Sequence, residues 1–269
     1  MCTYGTSQGG LKRRKKMKRS NIQDLTLASV FAAIILVMTF VPQIGYITVG
    51  TVALTLIHIP VLIGAFLLPK RYGLMLALFF GLGSLIRAAT TPTGPLDPAF
   101  VNPLVSVLPR LLFALAAIYL LALFRWFERT VKHSNIYIFA IVTLITSFGI
   151  YYAGQAIIEF SSWNASVVTV FFLLVNVAFI TAYFAFIKKD DNRRILVPST
   201  LIVATVIHTV LVLSALVIFE RGLITTLVPA DQLLSLIFTI AVSNGLVEAI
   251  LAAFVGTPIL FALEQVKAG

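Results

Sequence analysis

Apolar residues in this chain come in long unbroken runs. They do not follow the three-and-four spacing of a soluble amphipathic helix or the strict alternation of a half-buried strand. Eight runs stand out, at about residues 25–41, 52–68, 72–89, 104–124, 136–158, 167–187, 195–219 and 233–263. A helix needs roughly 17–25 apolar residues to cross a bilayer, so each run predicts a membrane span. The second and third are short and joined by "PKRYG" (69–73), whose proline and glycine mark a turn. Between other runs lie "PQIGYITVGT", glycine-bearing and β-leaning, and "TTPTGPLDPAFVN", whose three prolines forbid a continuous helix. Either these are ordinary outer loops or they cap a cavity, because irregular backbone at membrane depth needs protein or water around it.

Composition agrees. The 269 residues are 59% hydrophobic and 11% charged, with a mean hydropathy of +1.02. Soluble domains carry about a quarter charged residues. The expected fold class is an all-α polytopic membrane protein, a bundle of about eight transmembrane helices with no room for a separate soluble domain. Cys2 is the single cysteine, which excludes an intrachain disulfide and a cysteine-rich metal site.

The net charge of +10 invites a nucleic-acid reading, but its distribution argues against one. Seven basic residues fall in "LKRRKKMKRS" (11–20), just before the first apolar run. That placement suits an orientation signal and a contact for anionic lipids. No cleavage site follows, so the first run reads as a retained helix. Residues 1–16 read as a disordered leader, with Met17 an alternative start. With the N-terminus inside, the inner loops also receive Lys70 and Arg71, then Arg125, Arg129 and Lys132, then Lys188, Lys189, Arg193 and Arg194, and finally Lys267. Only Arg87, Arg110 and Arg221 fall outside this pattern. Such a bias implies an even number of spans with both termini cytoplasmic.

Candidate chemistry lies in the embedded polar residues. Arg87, near the outer end of the third run, either snorkels to the interface or faces inward. Arg110 is deeper, about 10 Å past the start of its helix at Pro103. An arginine at the membrane centre costs about 2.5–3.5 kcal/mol even on insertion scales, so it needs a partner. Asp97, Glu159, Glu220 and Asp231 sit at the outer edge. Glu248 is about 22 Å along the last run, expected to be too low to pair directly with Arg110. An anionic ligand from outside would fill this shortage of acids, since guanidinium captures carboxylate or phosphate in a bidentate fashion. His58, before Pro60, fits a bond to a freed backbone carbonyl; His208 fits ligand contact or helix–helix bonding equally. Asn244 and Glu248, four apart, share a helix face as binding site or interhelical glue. Ala28 and Ala32, also four apart, allow close helix approach.

Enzyme signatures are missing: there is no HExxH, GxSxG or Walker motif, and three scattered histidines do not make a metal site. Asn164-Ala-Ser166 fits a glycosylation sequon only weakly. The chain is expected to be neither an enzyme nor cofactor-dependent.

Taken in order, "LASVFAAIILVMTFVPQIGYITVG", "LTLIHIPVLIGAFLLPKRYGLMLALFFGLGSLIRA", "NPLVSVLPRLLFAL", "STLIVATVIHTVLVLSALVIF" and "SNGLVEAILAAFVGTPILFAL" resemble the substrate-binding S components of energy-coupling-factor vitamin transporters. They cover roughly two thirds of the chain, and "HIPVLIGAFLL" with "NPLVSVLPR" looks most like the pantothenate type. The resemblance implies capture of a vitamin from outside, followed by docking on a membrane T component coupled to two cytoplasmic ATPases. It implies that Ala28 and Ala32 pack against the T component. It also places Tyr46, Arg87, Asn102, Arg110, His208 and Asn244 in the substrate pocket.

Family members typically have six helices, so the organisation expected is a basic leader (1–20), core helices one to four (21–127), an inserted helix pair (128–194) and the last two core helices (195–269). His208 stands where the family's "NTVLVL" would have asparagine. Other cargoes (riboflavin, hydroxymethylpyrimidine, folate) stay open. So does an autonomous proton-coupled carrier using Glu248 and His208, although no inverted repeat is evident. A membrane-embedded enzyme or an assembly factor would lack a nucleophile or metal set in this sequence.

Overall fold

The computed structural model describes residues 21–49, 52–160, 164–187, 192–229 and 231–268. The basic leader and Met17 lie outside the described residues, as do Lys188 and Lys189. The chain opens with α1 (Asn21–Phe40), a short α2 (Pro42–Gly45) and an antiparallel hairpin of β1 (Tyr46–Val49) and β2 (Val52–Thr55), with Tyr46 opposite Thr55. A short α3 (His58–Leu67) and a long α4 (Lys70–Thr90) follow. A 3-10 turn (Asp97–Val101) leads into α5 (Pro103–Ser106) and α6 (Leu108–Thr130). Next come α7 (Ser134–Phe160), α8 (Ala165–Ile187), α9 (Asn192–Phe219), α10 (Arg221–Leu227) and α11 (Leu233–Leu251). A π-helical turn (Ala252–Gly256) joins α11 to α12 (Thr257–Ala268).

Among the described residues, seven helices are long and apolar enough to cross a membrane, and α3 is a shorter apolar helix. The protein is a multi-pass, helical membrane protein. The span expected at 52–68 is divided. Its first residues form β2, and the helix begins only at His58, with Pro60 in the first turn, where no backbone N–H is required. The run expected at 233–263 is a continuous helix with one wide turn. Pro258 lacks an N–H and crowds the carbonyl four residues back, at Phe254, inside the π turn that accommodates it.

Two cores meet along α9. One joins α1, α3, α4 and α6, around residues such as Phe31, Leu62, Phe80 and Phe113. The other joins α7, α8 and α11, around Val142, Ile150, Phe179 and Ala249. A smaller outer cluster ties the 3-10 turn to α9, α10 and α11 through Ala99, Leu216, Ile224 and Leu233. The pair α7–α8 is held by Ser147, whose hydroxyl donates to Asn176 Oδ1 (2.9 Å), and by Phe172 seated on Gly154. Tyr183 of α8 meets Ser199 of α9 hydroxyl to hydroxyl.

Ala28 and Ala32 lie on the inward face of α1. They are 0% and 8% exposed and belong to the core that α1 shares with α3 and α4. The outward face of α1 carries Ser29, Val30, Ala33 and Ile34 instead. The four-residue spacing correctly signals close helix approach, but the approaching helix is the chain's own α4.

Candidate functional site

Beneath the hairpin and the proline-rich loop lies a cavity of about 330 Å³, walled by α4, α6, α9 and α11. Two glycines set its walls. A Cβ on Gly81 would fall 2.8 Å from the Val107 backbone, and one on Gly245 would fall 2.8 Å from Thr209. Only residues without a side chain let α4 approach the α5–α6 joint, and α11 approach α9, this closely.

Arg87 sits in the last turn of α4 and points inward, 8% exposed. Its guanidinium lies 3.9 Å from the centre of the Tyr46 ring and donates to Thr93 Oγ1 (2.8 Å). Thr93 in turn donates to Asp97 Oδ2 (3.1 Å), which also accepts from the Thr93 and Gly94 backbone N–H groups at 2.6 and 3.0 Å. The loop "TPTGPLD" thus folds around its own carboxylate and presents a hydroxyl to the arginine. Burial pushes the Tyr46 phenol above its ordinary range against the pull of Arg87, so it stays an O–H donor.

Arg110 lies in the first turn of α6, 6% exposed. It donates to the Val105 carbonyl (2.6 Å) and is flanked by the rings of Phe80 and Phe100 at 5.3 and 5.1 Å. Such ring contacts contribute about 0.5–2 kcal/mol each, so rings and one carbonyl offset much of the burial cost. Among the described residues, neither arginine makes an ion pair with a carboxylate, and the Nε of each is buried without a partner.

His208 of α9 reaches the cavity and packs on Phe113 (4.7 Å), Phe80 (5.8 Å) and His58 (5.9 Å, stacked). Neither ring nitrogen of His208 has a hydrogen-bond partner among the described residues. His58 is fully buried, with its ring against the backbone carbonyls of Thr55 and Glu248, the kind of contact expected for it. Asn244 and Glu248 of α11 line the same wall, and Glu248 Oε1 accepts from the Thr55 backbone N–H (2.6 Å).

Five residues singled out from sequence, Tyr46, Arg87, Arg110, His208 and Asn244, therefore line one cavity. Asn102 does not. Its Oδ1 caps α5 by accepting from the Leu104 N–H (3.0 Å), and its Nδ2 donates to Glu220 Oε1 (2.7 Å). An asparagine directly before a proline-initiated helix is already committed as a cap. Glu248, expected too low to pair directly with Arg110, makes no ion pair with it among the described residues but lines the same cavity, because the hollow runs down α11 to the foot of the hairpin. Sequence reading also passed over Thr55, Ser84, Thr93 and Thr209; the threonine- and proline-rich loop was the one available signal for Thr93.

The family model for the ECF transporter, substrate-specific component, matches residues 23–165, from α1 to the start of α8. The chain belongs to that family. It is similar to the pantothenate transporter PanT of Leuconostoc mesenteroides, with 35% identity over 37% of this chain and 50% of that protein. It is also similar to the pantothenic acid transporter PanT of Lactococcus lactis subsp. cremoris, with 37% identity over 31% of this chain and 44% of that protein. The chain thus spans about half the length, or less, of the curated relatives it matches.

Proposed function

We propose that this protein is the substrate-binding subunit of an energy-coupling-factor transporter, and that its cargo is pantothenate. The carrying observation is a cavity with two buried guanidiniums and no carboxylate paired to either among the described residues. Pantothenate has a carboxylate at one end and amide and hydroxyl groups at the other. Arg110, supported by Arg87, holds the carboxylate; His208 and Asn244 meet the remaining polar groups, and the Tyr46 phenol closes the site from the hairpin. The cavity lies near the small end of the roughly 300–1,000 Å³ range of ligand sites, which favours pantothenate over the larger riboflavin and folate. The names of the two bacterial relatives point the same way.

In this reading the termini are cytoplasmic and the basic leader meets anionic lipid. The inserted helix pair flanks a six-helix core. ATP hydrolysis belongs to two partner subunits that act through a membrane T component. Docking through α1 runs over its outward face, where Ser29 and Ala33 repeat the four-residue spacing one position along from the buried alanines.

The test is calorimetric titration of the purified protein with pantothenate and with pantothenol, its alcohol analogue. Wild type should bind the acid at least ~30-fold more tightly, the worth of charge-assisted bonds to a carboxylate. Arg110→Ala should abolish that preference. Equal binding of acid and alcohol by the wild type would refute the carboxylate role. Uptake that survives loss of the ATPases would favour a self-sufficient carrier.

A further inference from the structure

The arginines account for the positive charge of the cavity. Its wall also holds a buried acid whose role the carboxylate-capture reading leaves open. Glu248 is 6% exposed, lines the cavity, and stands one turn from Asn244 on the same face of α11. Among the described residues only its Oε1 is engaged, by the backbone N–H of Thr55 at the foot of the hairpin. That bond orients the carboxyl group and leaves Oε2 without a protein donor. The other carboxylate of the cavity, Asp97, is wrapped by three donors of its own loop. Among the groups lining the hollow, Arg87 and Arg110 are donors only, and the Tyr46 phenol is protonated. A ligand hydroxyl held in this cavity therefore meets few strong acceptors, and Glu248 is the buried one already fixed in place.

We propose that Glu248 is the specificity-determining acceptor for the hydroxyl end of the cargo, with Oε2 receiving a ligand O–H while Oε1 stays on Thr55. This rests on the assignment of pantothenate as the cargo. It makes the cavity bipolar: guanidiniums take the acid end, the glutamate reads the alcohol end, and a simple fatty or amino acid with only the first feature is rejected. Because Oε1 holds the end of β2, the same side chain ties recognition of the ligand to the position of the hairpin that covers it.

The test compares pantothenate with N-(3,3-dimethylbutanoyl)-β-alanine, which keeps the carboxylate and amide but lacks both hydroxyls. Affinities are measured on the purified full-length protein. Wild type should prefer pantothenate by about 10–100-fold, the worth of a hydrogen bond to a charged group. Glu248→Gln keeps an oxygen for Thr55 but puts an amide where Oε2 was; its preference should fall below about threefold, with little change in ligand-free melting temperature. Glu248→Ala should lose the preference as well. A wild type that does not distinguish the two ligands overturns the proposal without any variant. So does an undiminished preference in Glu248→Gln, which would mean that the group donates or plays no part. Failure of wild type to bind pantothenate at all removes the cargo and this inference together, whereas binding without hydroxyl discrimination removes this inference alone.

Discussion

Replacing Gly245 by alanine should destabilise the protein in one background and stabilise it in another. The added Cβ falls 2.8 Å from both Oγ1 and Cγ2 of Thr209 and 3.1 Å from its Cβ, against an optimal separation of about 3.5–4.0 Å for carbon atoms. Thr209 cannot swing aside cheaply, because it is β-branched within a helix and its hydroxyl donates to the Thr205 carbonyl (3.2 Å). Overpacking of this kind costs about 1–3 kcal/mol. Against it stands about 1 kcal/mol of intrinsic helix preference for alanine over glycine. Gly245→Ala alone should therefore lose up to about 2 kcal/mol. In a Thr209→Ala background the two closest atoms are gone, and the same substitution should be neutral or stabilising by up to about 1 kcal/mol. Thermal unfolding of the four proteins in one detergent reads the cycle, at roughly 2–4 °C per kcal/mol for a chain of this size. Thr209 and Asn244 both line the cavity, so the single variant should also bind pantothenate more weakly, with partial recovery in the double variant. The same sign in both backgrounds would refute the contact, and with it the closeness of α9 and α11 that shapes the cavity wall.

Asn102→Ala removes a helix cap and the link to Glu220, so melting should fall by the equivalent of about 0.5–2 kcal/mol while pantothenate affinity stays within about threefold. A large loss of affinity would return Asn102 to the site. Asp97→Ala leaves Thr93 and Gly94 without their shared acceptor and Arg87 without its anchored hydroxyl. Hydrogen exchange across 93–97 should speed up by at least ~10-fold, and pantothenate binding should weaken. Ser147→Ala removes the hydroxyl bond between α7 and α8, leaves Asn176 Nδ2 on the carbonyl of residue 147, and should cost only about 0.6 kcal/mol, the usual value between membrane helices, with binding unchanged.

Much of this was legible because lipid makes two demands that sequence records directly. Backbone groups must bond within a helix, so apolar runs of sufficient length mark spans, and seven of the expected runs are spans. Polar side chains must find company, which is why Arg87, Arg110, His208 and Asn244, far apart in sequence, converge on one interior hollow with Tyr46 at its lid. Run length fails where an apolar stretch changes conformation midway. Residues 52–68 are uniformly apolar, yet strand pairing with 46–49 claims the first four. Spacing fails where a partner must be named: Ala28 and Ala32 announce a tight helix contact without saying whether the other helix is internal. Depth along a helix kept Glu248 from a direct pair with Arg110 but could not place it in the cavity, because axial distance says nothing about how far down a cavity extends. Asn102 shows the fourth limit. A side chain has a fixed number of hydrogen bonds, and local capping claimed them before the site could.

The way the arginines are held also bears on how a ligand could enter and leave. A guanidinium has five N–H donors; among the described residues Arg110 commits one to the Val105 carbonyl, while Arg87 serves the Thr93 hydroxyl and the Tyr46 side chain. Had each been locked to a buried carboxylate, an incoming anion would have to displace that partner and leave it uncompensated, a loss of about 3–5 kcal/mol. Aromatic faces are different. They steady the charge and take up none of the hydrogen-bond donors, so a carboxylate can approach Arg110 while Phe80 and Phe100 stay in place. The Val105 carbonyl takes one donor of Arg110, and among the described residues no other protein oxygen competes for the rest. The cavity therefore keeps its positive charge stable enough to fold yet uncommitted enough to bind, and the cost of that compromise is visible in the buried Nε atoms that have no partner among the described residues.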